Sequence, residues 1–134
     1  SLYNKITEEA LNQIDHFIPQ LMSNKFKRYP QNNKNSNFWR KRTKVDGIID
    51  WRMDAIAIHN TVRALSEPYP GANFIHNQKS YILWKTEVIY NDYDNLEPGK
   101  ILDSKDIIIK CGSNAIKLIK TEPELCSLKQ GEYI

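Results

Sequence analysis

The residues with the clearest chemical potential form one basic and aromatic segment. Eight lysines and arginines fall between Lys25 and Lys44, and no acidic residue occurs from His16 to Val45. Because the whole chain has a net charge of +3, this segment of +8 leaves −5 for the remaining residues. Concentrated cations attract phosphate groups, and aromatic rings among them stack on nucleobases. The candidate substrate-binding residues are therefore Phe38, Trp39, Arg40, Lys41 and Arg42.

A purely structural interpretation of the same segment stays open. In that interpretation the cations are solvated, and the aromatic side chains pack on the domain that follows. The two interpretations differ in their dependence on salt, because binding through phosphate contacts weakens sharply as the salt concentration rises.

The histidines and cysteines are too scattered to predict a metal site. His16, His59 and His76 form no H-E-x-x-H pattern, and Cys111 and Cys126 form no C-x-x-C pair. Two separated cysteines favour buried or half-buried thiols in a reducing, cytoplasmic compartment. No apolar run approaches the length of a membrane-spanning helix, so we expect no membrane contact.

Two helices are predicted from apolar residues at three- and four-residue spacing. The first covers residues 1–23, with Ser1 as its N-cap, and Pro19 should bend or end it near Phe17 because proline has no backbone N–H. The second covers residues 55–66, with Asp54 as its N-cap.

Turn residues and β-formers organise the rest of the chain. Asp46-Gly47 predicts a tight turn in which Gly47 is free to adopt a positive φ, followed by a short strand over residues 48–51. Pro70-Gly71 fits a type II turn, and Asn77-Gln78 fits a hairpin turn. The later strands are predicted at residues 72–76, 79–90, 100–102, 106–111 and 114–120. Together these elements predict an α+β fold, mainly β, built as a small open antiparallel barrel with one packed helix.

Several short motifs follow one another in a fixed order, and together they resemble a known family. They are Ser1-Leu2-Tyr3-Asn4-Lys5-Ile6, Lys41-Arg42-Thr43, Asp46-Gly47, Ile49-Asp50-Trp51, Val62-Arg63-Ala64-Leu65, Pro68-Tyr69-Pro70-Gly71-Ala72 and Glu97-Pro98-Gly99-Lys100-Ile101. The set resembles the C-terminal part of the folate-dependent formyltransferases. One departure is Gly112-Ser113-Asn114, where many relatives carry Gly-Asp-Gly, although asparagine also tolerates left-handed backbone geometry.

The resemblance implies a barrel similar to the oligonucleotide-binding fold, joined to an upstream Rossmann-like catalytic domain. On this basis residues 1–24 form the helix that closes the missing catalytic domain, residues 25–46 form a basic linker, and residues 47–134 form the C-terminal domain. The family transfers a formyl group from N10-formyltetrahydrofolate to an amine, using Asn, His and Asp of the upstream domain. The His-Pro-Ser-like motif of that domain is absent here, so we assign no catalytic residue and expect the chain alone to be inactive.

Three functions remain open at this point. The first is part of an N-formyltransferase that acts on a nucleotide-linked amino sugar, since the chain lacks the basic C-terminal segment of many tRNA formyltransferases. The second is the domain of methionyl-tRNA formyltransferase that binds initiator tRNA, which the basic segment would suit. The third is a stand-alone binding module, which the apolar stripe of the first helix disfavours. The sequence leaves open whether the domain supports a homodimer.

Overall fold

The computed structural model describes residues 2–91, 93, 95–126 and 128–134, and it divides the chain into two compact units. The first unit is Ser1–Trp39 and the second is Arg40–Ile134. Ser1, which the sequence assigns as an N-cap, lies outside the described residues. No helix of the described residues is long and apolar enough to cross a membrane.

The first unit consists of helix α1, Leu2–Met22, and a loop with a 3-10 turn at Asn33–Asn35. The helix predicted over residues 1–23 is confirmed for the described residues, and Pro19 does not end it near Phe17. Proline removes only its own N–H, and its carbonyl still accepts from Ser23 N at 3.1 Å. Asn24, at a φ of 58°, provides the left-handed residue that ends the helix.

The second unit is an open five-stranded antiparallel sheet with one helix. Helix α2 is Ala55–Ala64, and the strands are β1 (Ala72–His76), β2 (Lys79–Ile89), β3 (Ile101–Asp103), β4 (Ile108–Lys110) and β5 (Ala115–Glu122). The strand order is β1-β2-β5-β4-β3, so β1 and β3 form the two edges. The predicted α+β class, mainly β, is confirmed, and the sheet does not close into a complete barrel.

The predicted hairpin turn of the sheet is confirmed, and two other predicted turn residues have positive φ. Asn77 and Gln78 join β1 to β2 with φ values of 48° and 63°, which is the geometry of a two-residue hairpin turn. Gly71 has a φ of 82°, as a type II turn requires, and Asn114 has a φ of 60°. Asparagine therefore takes over the left-handed position in the Gly112-Ser113-Asn114 turn.

The core of the second unit lies between α2 and the sheet. Asp54 caps α2 as predicted, because its Oδ1 accepts from Ile56 N at 2.7 Å. The buried face of the helix consists of Ala55, Ile58 and Val62. Opposite it lie the inward side chains of the sheet, which are Phe74, Tyr81, Leu83, Ile109, Ile116 and Leu118.

The entrance to the second unit differs from the prediction. Residues Lys44–Gly47 form a 3-10 helix, and the expected strand over 48–51 is reduced to one bridge between Ile48 and Asn73. Gly47 does not adopt the positive φ that is open to it. Glycine is needed there for space, because a Cβ would lie 2.8 Å from the carbonyl oxygen of Gly71.

The two cysteines have different environments. Cys111 is buried, and burial raises the pKa of its thiol to about 12. Cys126 is exposed, so the expectation of a buried or half-buried thiol is wrong at that position.

Candidate functional site

Asp46 organises the basic residues that open the second unit. Its carboxylate accepts two hydrogen bonds from the Arg40 guanidinium, one of them at 2.9 Å from Nη1. Arg42 Nη1 lies 3.9 Å from the same carboxylate, and Thr43 N donates to Oδ2 at 2.7 Å. The Asp46 side chain is only 10% exposed, whereas those of Arg40 and Arg42 are 68% and 67% exposed. One acid therefore fixes two arginines and the backbone between them.

The hydrogen bond from Arg40, followed by that from the Thr43 amide, holds the pKa of Asp46 well below its usual range. A depressed pKa in the folded state means that the ionised form is stabilised by folding. That stabilisation is complete above the unfolded pKa of about 3.9, and it is lost as the pH falls through the folded value. The arrangement is therefore intact throughout the neutral range and fails only in strong acid.

Replacing Asp46 with Asn should release this segment without unfolding the sheet. The charge-assisted bonds of Arg40 and Thr43 would be lost, so the Thr43 amide should exchange with solvent severalfold faster at neutral pH. Hydrogen exchange followed by NMR measures this directly. Asp50→Asn is the matched control, because the ion pair of Asp50 is with Arg52, at 2.6 Å, and not with Arg40 or Arg42. Equal acceleration of the Thr43 amide in both variants would contradict this role of Asp46.

A groove of about 710 Å³ adjoins this cluster, and its volume is in the range of small-molecule sites. One side is polar, where Lys41, Arg42 and Asp46 lie. The other side comes from the end of α2 and the turn that follows it. Its residues are Thr61, Ala64, Leu65, Pro68, Tyr69 and Pro70. An apolar wall with an aromatic ring, facing a cationic rim, suits a ligand that has both a flat ring and negative charge.

The structure distributes the five predicted site residues over both units. Arg40, Lys41 and Arg42 belong to the second unit, where Lys41 and Arg42 line the groove. Phe38 and Trp39 end the first unit, with side chains that are 97% and 84% exposed. Among the described residues Lys41 makes no ion pair, whereas Arg42 of the same groove lies 3.9 Å from Asp46.

Sequence reasoning missed the residues that complete the groove. The turn motif explains Asp46 only as a turn residue, although Asp46 is the first acid after eight cations and is thus their natural partner. Tyr69 belongs to a turn that the family resemblance uses, and its position between two prolines gave no sign of a binding role. The fold places it in the same groove as Lys41 through contacts between distant segments, such as Ile49 N donating to Asn73 O at 2.8 Å.

No group of three or more His, Cys, Asp or Glu side chains among the described residues has the spacing to hold a metal ion.

Comparison with known families shows the protein family to which the second unit belongs. The model of the formyl transferase C-terminal domain matches residues 41–131, which is most of the chain. This chain belongs to the formyltransferase C-terminal domain family. The match begins at Lys41 and includes the groove, the hairpin and the whole sheet.

Known proteins similar to this formyltransferase C-terminal domain are much longer than it. The bifunctional polymyxin resistance protein ArnA of Wigglesworthia glossinidia brevipalpis is 30% identical over 128 residues, covering 96% of this chain and 19% of that protein. A variant of HypX from Aquifex aeolicus has a TM-score of 0.62 at 20% identity, over 85% of this chain and 21% of HypX. HypX in complex with tetrahydrofolic acid has a TM-score of 0.57 at 21% identity, over 84% of this chain and 19% of HypX. The chain therefore spans about a fifth of the relatives it matches.

Proposed function

We propose that this chain is the non-catalytic C-terminal part of a cytoplasmic N-formyltransferase that acts on a nucleotide-linked amino sugar. In this proposal an upstream domain binds N10-formyltetrahydrofolate and performs the transfer to the sugar amine. The similarity to HypX, which has been solved with tetrahydrofolic acid, supports a folate in the whole enzyme. The chain supplies the groove, and the folate need not touch it.

The groove is the observation that favours a nucleotide-linked amino sugar as the substrate. A nucleotide has a flat base that fits against Tyr69 and Leu65, and a diphosphate that fits the cationic rim at Lys41 and Arg42. Asp46 keeps Arg42 near this rim and lowers the net charge of the rim. A lower charge suits a compact diphosphate better than a long phosphate backbone.

The exposed face of α1 supports the presence of an upstream domain. Leu2, Ile6 and Leu21 are 72%, 54% and 45% exposed, and no described residue of this helix is buried. Contiguous apolar surface of this kind usually belongs to an interface. Packing α1 on the catalytic domain would cover it.

Transfer to initiator tRNA is the second candidate, and the basic segment favours it. Eight cations and the exposed rings of Phe38 and Trp39 suit a phosphate backbone with unstacked bases. Against it, residues 47–134 contain ten basic and twelve acidic side chains, which gives the sheet domain little attraction for nucleic acid.

A formylation assay with the full-length protein separates these substrates. With N10-formyltetrahydrofolate present, we expect turnover of a nucleotide-linked amino sugar and none of methionyl initiator tRNA. The isolated chain should give no turnover with either acceptor, because the catalytic groups lie upstream. Preference for the tRNA, with affinity that falls steeply as salt rises, would select the second candidate and refute the first.

Replacing Lys41 with Gln in the full-length protein tests the groove itself. If Lys41 meets the diphosphate in both the ground and the transition state, the KM for the nucleotide sugar should rise about fivefold to tenfold with kcat unchanged. Lys44→Gln is the matched control, because Lys44 is also exposed but does not line the groove. Equal KM values for the two variants would rule out this binding mode even if the enzyme formylates a sugar.

A further inference from the structure

Two arginines lie within ion-pair distance of the carboxylate of Asp46, and they share it unequally. Arg40 Nη1 donates to Oδ2 at 2.9 Å, and Arg40 Nη2 donates to Oδ1. Thr43 adds two donors to Oδ2, its amide at 2.7 Å and its hydroxyl at 3.3 Å. Arg42 Nη1 lies 3.9 Å from Oδ1, which is too long for a hydrogen bond. Arg40 is therefore bonded to the carboxylate, and Arg42 is only attracted to it.

Exposure does not explain this difference, because the side chains of Arg40 and Arg42 are 68% and 67% exposed. Arg40 binds through two nitrogens, and such a two-point pair is stronger and more directional than a single contact. Its hydrogen bond is also the largest cause of the low pKa of Asp46. Attraction between exposed charges without a hydrogen bond is weak, so the Arg42 guanidinium is easily moved.

The three side chains also differ in their relation to the groove. Arg42 and Asp46 are among the residues that line it, and Arg40 is not one of the lining residues. An effect of Arg40 on a ligand in the groove must therefore pass through Asp46.

Removing Arg40 would leave the Asp46 carboxylate to Arg42. The Arg42 guanidinium would need to move by only about 1 Å to reach hydrogen-bond distance. Thr43 would keep the carboxylate in place, since neither of its two bonds involves Arg40. A guanidinium bonded to Asp46 has fewer N–H donors left for a phosphate, and its charge is neutralised locally. The acid that keeps Arg42 near the rim would then withdraw it from a ligand.

We propose that Arg40 is a positioning residue, which occupies Asp46 and so leaves the Arg42 guanidinium available to the diphosphate of the substrate. This role rests on the proposed function, in which the groove receives a nucleotide-linked amino sugar. Arg40 sets the affinity without touching the substrate, and Arg42 makes the contact.

Side-chain NMR of the chain tests this role with no ligand present. At about pH 6 the Asp46 carboxylate is ionised, because its pKa is depressed in the folded chain. In Arg40→Ala the guanidinium protons of Arg42 should exchange with solvent severalfold more slowly, because they now donate to Asp46. In the double variant Arg40→Ala, Asp46→Asn their exchange should return to the rate in the unaltered chain.

Arg52→Ala is the matched control, because Arg52 pairs with Asp50 at 2.6 Å and lies outside the groove. It should leave the exchange of the Arg42 protons unchanged. Equal exchange of these protons in the unaltered chain and in Arg40→Ala would overturn the proposal.

Steady-state kinetics of the full-length protein test the effect on the substrate. Arg40→Ala should raise the KM for the nucleotide-linked amino sugar about threefold to tenfold with kcat unchanged. In an Asp46→Asn background the same substitution should leave KM unchanged, because no carboxylate remains to withdraw Arg42. A rise in KM of the same size in both backgrounds would mean that Arg40 contacts the substrate itself, and the proposal would be wrong.

The two measurements separate this proposal from the proposed function. If the full-length protein formylates another acceptor and not the nucleotide-linked amino sugar, the substrate assignment fails, and with it the role of Arg40 toward a diphosphate. If the nucleotide-linked amino sugar is the substrate and neither Arg42 exchange nor KM responds to Arg40→Ala, only the positioning role fails.

Discussion

Replacing Phe74 with Ala should lower the free energy of unfolding of the sheet domain by about 3–5 kcal/mol, the usual cost of truncating a buried aromatic side chain. Phe74 is 2% exposed, and its ring stacks on Tyr81, its partner in the β1–β2 register, with the ring centroids 5.4 Å apart. Trp51 contacts it edge-on, also at 5.4 Å. The variant would leave a cavity between the two remaining aromatic rings, those of Trp51 and Tyr81, which the surrounding backbone holds in place.

Urea denaturation followed by far-UV circular dichroism measures this loss. Ile75→Ala is the control, since Ile75 is the next residue of the same strand and is 67% exposed. Its truncation should cost well under about 1 kcal/mol. Similar losses in the two variants would mean that the stacked aromatic rings do not form the centre of the core.

Replacing Gly112 with Ala should cost about 3 kcal/mol, near the upper end for overpacking a tight site. An added Cβ would lie 2.1 Å from the carbonyl oxygen of Arg52 and 3.2 Å from that of Met53. Both obstacles are backbone atoms, so they cannot turn away as a flexible side chain would. The Gly112 turn should separate from the segment that starts α2, and the bond from Ala55 N to Ser113 O at 3.1 Å should break.

Gly131→Ala is the informative comparison, because it separates lack of space from backbone strain. Gly131 has a φ of 88°, but a Cβ there would meet no atom within 4 Å. The Gly131→Ala substitution should therefore cost only about 1–2 kcal/mol, which is the energy of placing a residue with a Cβ in left-handed geometry. Hydrogen exchange at Ala55 should rise in the Gly112 variant and not in the Gly131 variant. If Gly131→Ala proves the more damaging, steric contact is not the reason for glycine at position 112.

Local chemistry predicted the elements that depend on nearby residues. Asp54 as a helix cap, Asn77-Gln78 as a hairpin turn and Asn114 in left-handed geometry all follow from hydrogen bonds or steric limits within a few residues. The family resemblance added the order of these elements and predicts that they follow a catalytic domain.

The errors arise where distant segments meet. The carbonyl oxygen of Gly71 leaves no room for a side chain at position 47. Gly71 is 24 positions away in the sequence, so the turn motif at Asp46-Gly47 does not reveal this contact. Residues 48–51 form one bridge to Asn73 and then leave the sheet, because Trp51 turns inward to Phe74. The sequence indicates the cations of the groove and not its apolar wall for the same reason. Its cations are consecutive in sequence, whereas its apolar wall comes from residues 61–70.

The C-terminal residues affect whether identical copies of the domain can associate with one another. Gly131 N donates to Ile101 O at 2.8 Å, and Ile134 N donates to Gly99 O at 3.0 Å, so the last residues run along the outer side of β3. They cover this edge of the sheet and form hydrogen bonds with main-chain groups that would otherwise face outward unpaired. A chain truncated after Gln130 would expose the β3 edge. The exposed edges of identical molecules could then pair with one another as additional strands.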